Sequence, residues 1–385
     1  MANSRIIELD FMRAFAILMV LVLHVSAAYV AYSPPESHVF YIGLILNQWS
    51  RICLPLFVFV SGFGIFYGYG SKKLNLKDFY LRRFRAVFLP YLVWSFIYMI
   101  LRDIFNPSFT FIGLPLKQAF LSYLEWTLKE NIHTPIWFVL MIIQLYLVFP
   151  FLLKLVKSVK NPLRFTAVNF AIYFFLTIYF RNFMTMSGIT IIDWLQRYYS
   201  VNFVGWYFYF ILGGIVAKYW KKVRRLDLNK LRIVMIYIIT TCFVIIEAYI
   251  GFINYGQAHL GSYTSIRPTV LINSMAAIPA FYLFAQFLIK YGKITKLLNN
   301  ISRYSYGIFF VHPQVLTVVK IIIGKIFGTY TTRILQLILV FSLTLVCSYA
   351  ICRIIDKTRL REILLGLSNK KPRQSKTFYN SPPSI

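Results

Sequence analysis

Long apolar stretches alternate along the chain with short polar connections. About ten of them approach the roughly 20 apolar residues that a helix needs to cross a bilayer. They cover approximately 8–30, 41–67, 86–102, 135–154, 165–181, 201–218, 232–253, 269–289, 304–324 and 333–353. The third, fifth and sixth are short for that task. The pattern predicts an all-α, polytopic integral membrane protein with about ten transmembrane helices. The first stretch is too long for a cleavable signal and lacks a small-residue cleavage motif, so it is expected to remain as a span. The expected organisation is a transmembrane domain over 1–355 and a basic cytoplasmic tail over 356–385. After Leu367 that tail is polar, basic and Pro-containing, and reads as disordered. No internal repeat supports a transporter built from inverted repeats.

Composition agrees with the pattern. The 385 residues are 59% hydrophobic and 19% aromatic, with only 14% charged, too apolar for a soluble domain of this length. The net charge of +29 would ordinarily suggest a nucleic-acid partner, but the basic residues sort by membrane side. With the N-terminus in the cytoplasm, 30 of the 41 Lys and Arg residues fall in inner segments and nine in outer ones. Arg13 and Arg51 lie within spans. This is the positive-inside signature, with both termini cytoplasmic, plus attraction to anionic headgroups of the lipid bilayer. No nucleic acid is expected. The four cysteines lie in apolar runs without metal-ligand spacing, and no metal is expected.

Ionisable groups at membrane depth are costly and mark functional sites. The first span carries three: Asp10, Arg13 and His24. Eleven positions make about three helical turns, so Arg13 and His24 share a face roughly 16 Å apart along the axis, with Asp10 one turn before Arg13. His24 is the candidate general base. Further cavity candidates are Arg51, Glu247 and His312, the last preceding Pro313. Each has a structural alternative: Arg51 needs a carboxylate or other acceptor, Glu247 a partner, and His312 can cap backbone groups freed by the proline. Gln144 and Asn273 read as interhelical hydrogen-bonding residues. The outer loop 106–134, with Trp126, is either a surface connection or a rim for an external substrate. Trp194 and Trp206 fit sugar stacking and an interfacial belt equally. Nucleophile-elbow, zinc-protease, P-loop and dinucleotide motifs are absent.

Five stretches, in order, carry a resemblance. LDFMRAFAILMVLVLH resembles the opening of the membrane-bound acyltransferase 3 family, an Arg and a His separated by ten residues, here Arg13 and His24. LPLFVFVSGFGIFYG resembles its second-span Ser-Gly-Phe signature, and LRRFRAVFLPYLVW its Arg-x-x-Arg stretch, here Arg82 and Arg85 before Pro90. TPIWFVLMIIQLYLVFP resembles its fourth-span Trp-Phe pattern at Trp137 and Phe138, and ISRYSYGIFFVHP its late His-Pro signature. Within the family the fit is closest to the intercellular-adhesion polysaccharide type, an impression to which GWYFYFILGGIVAKYW contributes.

The resemblance implies a transferase that moves an acyl group, commonly acetyl, from cytoplasmic acyl-CoA to a hydroxyl of an extracytoplasmic glycan or lipid-linked saccharide. Acyl-CoA would be a donor substrate and no cofactor would be permanently bound. It implies His24, Arg13 and Asp10 as catalytic groups, Arg82 and Arg85 as a clamp for the CoA phosphates, and Trp137 at the cavity. The expected location is the bacterial plasma membrane. A separate extracytoplasmic transferase or glycan-synthesis proteins are the expected protein partners. The rival reading is a non-enzymatic exporter of a glycan or lipid-linked precursor through the same polar cavity.

Overall fold

The computed structural model describes residues 5–368 except 36, 71, 106–110, 112, 129–134, 183–197, 228, 257–262 and 329–332. Among the described residues there are helices and no strands. The helices are α1 (Ile7–Tyr32), α2 (His38–Trp49), α3 (Cys53–Tyr69), α4 (Leu76–Arg83), α5 (Leu89–Phe105), α6 (Leu116–Leu128) and α7 (Trp137–Ser158). There follow α8 (Pro162–Asn182), α9 (Tyr207–Lys218), α10 (Lys230–Tyr255), α11 (Pro268–Leu288), α12 (Gly292–Phe327), α13 (Ile334–Asp356) and the short α14 (Arg361–Leu365). Nine described segments are long and apolar enough to cross a membrane. Two of these are composite. A 3₁₀ turn, Ser50–Ile52, joins α2 to α3, and a π-turn, Phe84–Phe88, joins α4 to α5.

The sixth expected span, 201–218, is shorter in the structure than the other nine but still runs between the two ends of α7, with Trp206 6.1 Å from Trp137 and Lys218 Nζ donating to the Val156 carbonyl. It holds a 3₁₀ turn, Phe203–Gly205, and then α9 with 12 residues. A helix of that length rises about 18 Å, against a hydrocarbon core of about 30 Å. The turn is fixed by Asn202, whose Oδ1 accepts from the Val204 and Gly205 amides. Gln144 of α7 braces the same turn, donating to the Val201 carbonyl and accepting from the Phe203 amide.

Helix α1 is the axis of the bundle. Phe11, Ala14, Ala16, Ile17 and Leu21 are fully buried, and α2, α3, α11, α12 and α13 all pack on it. Helices α3 and α9 cross at backbone contact. A Cβ on Gly62 would lie 2.3 Å from the Phe210 carbonyl oxygen, and one on Gly213 would lie 2.3 Å from that of Phe59. Such small-residue crossings replace hydrophobic driving force where the surrounding solvent is itself apolar. Helix α10 turns a lipid stripe outward at helical spacing: Ile236, Ile239, Phe243, Ile246, Ile250 and Ile253 are all exposed. Its inner face hydrogen-bonds Thr240 and Thr241 to Asn273 of α11. Both Gln144 and Asn273 therefore serve packing.

The packed chain continues past the expected boundary at 355. Trp94 of α5 donates to the Leu364 carbonyl, and Leu365 is buried in the main core. Gly366 has φ +64°, and a Cβ there would meet the Ala86 carbonyl oxygen at 2.1 Å. Only glycine fits that left-handed, close-packed position. The segment after α13 thus returns to the π-turn, and residues 369–385 lie outside those described. Within the outer loop, α6 packs along α5. Tyr123 donates to the Leu92 carbonyl, and Tyr91 donates to that of Thr127. Trp126 is buried beneath the Arg102 guanidinium, 4.2 Å from its ring centroid.

Candidate active site

Asp10, in the first turn of α1, binds Arg13 Nη1 at 3.1 Å and also receives Arg5 Nε at 2.5 Å. The pairing expected from their spacing forms, with Arg5 as a second cation. Eleven residues further along, His24 opens to a different space. The two ends of this polar stripe line two separate cavities.

The inner cavity, of about 480 Å³, is bounded by Arg13, Arg83 and Arg303, by the hydroxyls of Ser61, Tyr146, Ser302, Ser305 and Tyr306, and by Leu365–Leu367. Its size is typical of small-molecule sites. Ser61 shares a hydrogen bond of 2.8 Å with Tyr146. Two of the three guanidiniums are matched by carboxylates: Arg13 by Asp10, and Arg303 by Asp356 at 2.7 Å. Arg83 lies over the rings of Tyr146 and Phe79, and its Nε is buried without a hydrogen bond. Of the three guanidiniums it alone has no carboxylate partner among the described residues. Arg82 and Arg85, expected as the phosphate clamp, are exposed and do not line the cavity. Arg82 instead stacks on Tyr69. The physical reason is helical phase: 82, 83 and 85 project in different directions, and the π-turn that begins at Phe84 shifts the phase again.

The outer cavity, of about 390 Å³, is bounded by His24, Arg51, Trp137, Trp206, Tyr263 and the small hydroxyls Ser200, Thr264 and Ser265. The Trp137 and Trp206 rings lie 6.1 Å apart. Burial pushes the Tyr263 hydroxyl up to about 12, so it stays protonated and can donate. Two residues, Phe138 and Phe309, line both cavities. Their ring centroids are 5.6 Å apart. Two aromatic rings therefore separate the arginine-lined space from the histidine-lined one.

His312 is fully buried behind His24, with ring centroids 5.3 Å apart. Its Nδ1 lies 3.0 Å from the Ile308 carbonyl, next to the Phe309 carbonyl that Pro313 leaves without its helical donor. A carbonyl only accepts, so Nδ1 carries the proton, and in the neutral ring Nε2 keeps a lone pair. That Nε2 is buried and makes no hydrogen bond. His312 is thus both a backbone cap and the neighbour of His24. Glu247 does not reach Arg51. It pairs with the fully buried Arg267 at 3.1 Å and accepts from Thr269. Arg51 binds the Asn47 amide oxygen at 2.6 Å instead.

The model of the family described as acyltransferase domain matches residues 6–353, nearly the whole chain. The chain belongs to the acyltransferase 3 family. It is 24% identical over 322 residues, covering 80% of this chain and 81% of the relative, to a probable poly-β-1,6-N-acetyl-D-glucosamine export protein of Staphylococcus epidermidis. The same match is found in a second strain of that species. No solved structure matches the chain.

Each stretch that resembles this acyltransferase family has a physical place in the fold. In Ser61-Gly62-Phe63, the serine faces the inner cavity, the glycine permits the α3–α9 crossing, and Phe63 packs edge-on against Trp220. Trp137 and Phe138 divide between the outer wall and the partition. Reading the sequence alone missed Arg303, Arg267 and Phe309, and it did not separate Arg83 from Arg82 and Arg85 as a phosphate clamp. Arg83 sits among other arginines in an inner basic run, and Arg267, before Pro268, reads as loop. Trp194 lies outside the described residues.

Proposed function

We propose that this membrane acyltransferase carries an acyl group, acetyl first among the candidates, from acyl-CoA on the cytoplasmic side to a hydroxyl of an outer glycan or lipid-linked saccharide. The observation that carries the reading is the pair of cavities on one polar stripe, cationic at the end with the basic loops and histidine-lined at the other, divided by Phe138 and Phe309. The CoA phosphates would meet Arg83, with Arg13 and Arg303 beside it. The pantetheine arm would pass the two rings and present its thioester to the outer cavity. His24 would take the proton of the acceptor hydroxyl, with the His312 ring packed beside it. Trp137 and Trp206 offer apolar faces for a sugar ring. The Staphylococcus relative is named for a poly-N-acetylglucosamine, which supports a hexosamine polymer as the acceptor. The plasma membrane is the location this reading requires. A separate glycan-synthesis partner would deliver the acceptor.

The test is His24→Ala in protein reconstituted into vesicles with acyl-CoA and β-1,6-linked N-acetylglucosamine oligosaccharide. A positioned general base contributes about 10²–10⁴-fold, and CoA release should fall by that factor. Equal release from equal amounts of folded protein overturns the role of His24. A second reading, passage of the glycan itself, rests on the relative's name as an export protein. Glycan entry into vesicles without acyl-CoA consumption would favour it.

A further inference from the structure

Arg51 enters the outer cavity from the 3₁₀ turn between α2 and α3. It carries the one guanidinium on that wall, and no Asp or Glu lines the cavity among the described residues. Its recorded partner is neutral: Nη2 donates to Asn47 Oδ1 at 2.6 Å. Nε is buried and makes no hydrogen bond. A cation at membrane depth facing a cavity without a counter-ion is expensive to maintain, and such a group is suited to an anion that appears there.

The arginine is also held in place. Asn47 Nδ2 donates to the Leu23 carbonyl at 3.1 Å and to Ser26 Oγ at 3.3 Å, gripping α1 on both sides of His24. Gln48 Nε2 donates to the same Asn47 oxygen at 3.1 Å, and Gln48 Oε1 accepts from Arg267 Nη2 at 2.6 Å. Arg267 is anchored in turn by Glu247. Asn47, Gln48 and Arg267 are buried. The chain of bonds from Glu247 to Arg51 therefore ends in a single amide, Asn47, that fixes both Arg51 and the turn bearing His24. The buried ion pair is a foundation, and Arg51 is its working end.

We infer that Arg51 is a second catalytic residue of the outer cavity, donating to the acyl carbonyl oxygen as it becomes an oxyanion, and that Asn47, Gln48 and Arg267 are its positioning residues. The inference rests on the acyl transfer proposed above. In the step, His24 takes the hydroxyl proton while the acceptor oxygen bonds to the thioester carbon. The carbonyl π pair moves onto oxygen, where Arg51 donates to it. Re-forming the carbonyl breaks the carbon–sulfur bond, and the leaving thiolate takes the proton from His24. A fixed donor aimed at developing charge needs no reorganisation during reaction.

The experiment compares wild type, His24→Ala, Arg51→Met, Arg51→Lys and Gln48→Leu in vesicles, with acetyl-, propionyl- and succinyl-CoA as donors and the β-1,6-linked N-acetylglucosamine oligosaccharide as acceptor. Arg51→Met should lose about 10²–10³-fold in kcat, the usual loss for one oxyanion donor, while KM for acyl-CoA stays near wild type. Arg51→Lys keeps the charge without the planar fork, so its kcat should fall between Arg51→Met and wild type. Gln48→Leu should lower kcat with unchanged KM for the donor. Wild-type kcat in Arg51→Met, or a raised acceptor KM with unchanged kcat, overturns the inference and leaves acyl transfer standing. Should Arg51→Met fail to fold, a wild-type kcat in Arg51→Lys overturns it equally. No turnover of any donor by wild type overturns the acyl-transfer reading, and this inference with it.

Discussion

Three arginines within four positions meet three different environments. Arg82 stacks on Tyr69, Arg85 is exposed, and Arg83 lines the inner cavity with its Nε buried and without a hydrogen bond. Hydrogen bonds to charged groups contribute about 1.5–3 kcal/mol, and each 1.4 kcal/mol is about tenfold in affinity. Arg83→Gln should therefore raise the KM for acyl-CoA by about 10–100-fold, whereas Arg82→Gln and Arg85→Gln stay near wild type. Steady-state kinetics with varied acyl-CoA checks this. The same scale explains why Arg51 and Glu247, both partly buried ionisable residues, are not each other's partners. Arg267 reaches Glu247 from the start of α11, and spacing along one chain does not tell which neighbours face each other across helices. By contrast, Asp10 and Arg13 were legible as a pair, because i and i+3 on one helix are always neighbours.

At the scale of elements, the α3–α9 crossing is a tight constraint on the bundle. The atoms closest to a Cβ on Gly62 are all backbone, so no side chain can move aside. Gly62→Val should destabilise the protein by about 1–3 kcal/mol, the usual cost of overpacking. Gly324→Ala in α12, where a Cβ meets nothing within 4 Å, should not. Thermal unfolding of the purified proteins in detergent distinguishes them. Helix α9 is shorter than the apolar run 201–218 suggests from the sequence. Its apolar run matches a crossing in composition, and only the 3₁₀ turn fixed by Asn202 and Gln144 shortens it. The continuation of the fold into α14 was equally hidden, since five residues with two charges carry little periodic signal, and their order comes from Trp94 and the left-handed Gly366.

Among the described residues the inner and outer cavities lie in series across one bundle, with α1 running past both. Phe138 and Phe309 separate them. Phe309→Ala should merge the cavities, and the expected result is acyl-CoA hydrolysis without acceptor, rising while acceptor-dependent transfer falls. Measuring CoA release with and without oligosaccharide checks this. A rate without acceptor equal to wild type would mean that the ring is not a barrier.

The sequence by itself determined that the chain is an all-α bundle of many crossings, since burial in lipid demands apolar length that is written directly in the chain. It predicts sidedness through the distribution of Lys and Arg, and it determined the Asp10–Arg13–His24 stripe through the fixed geometry of a helix. Only the tertiary structure decided that this stripe serves two cavities, that Arg83 faces the inner one, that two phenyl rings divide them, and that Arg51 shares the outer one with His24, bonded to Asn47 rather than to a carboxylate. Each of these is a contact between helices distant in sequence. Helix periodicity fixes which residues share a face, and packing alone decides what that face meets.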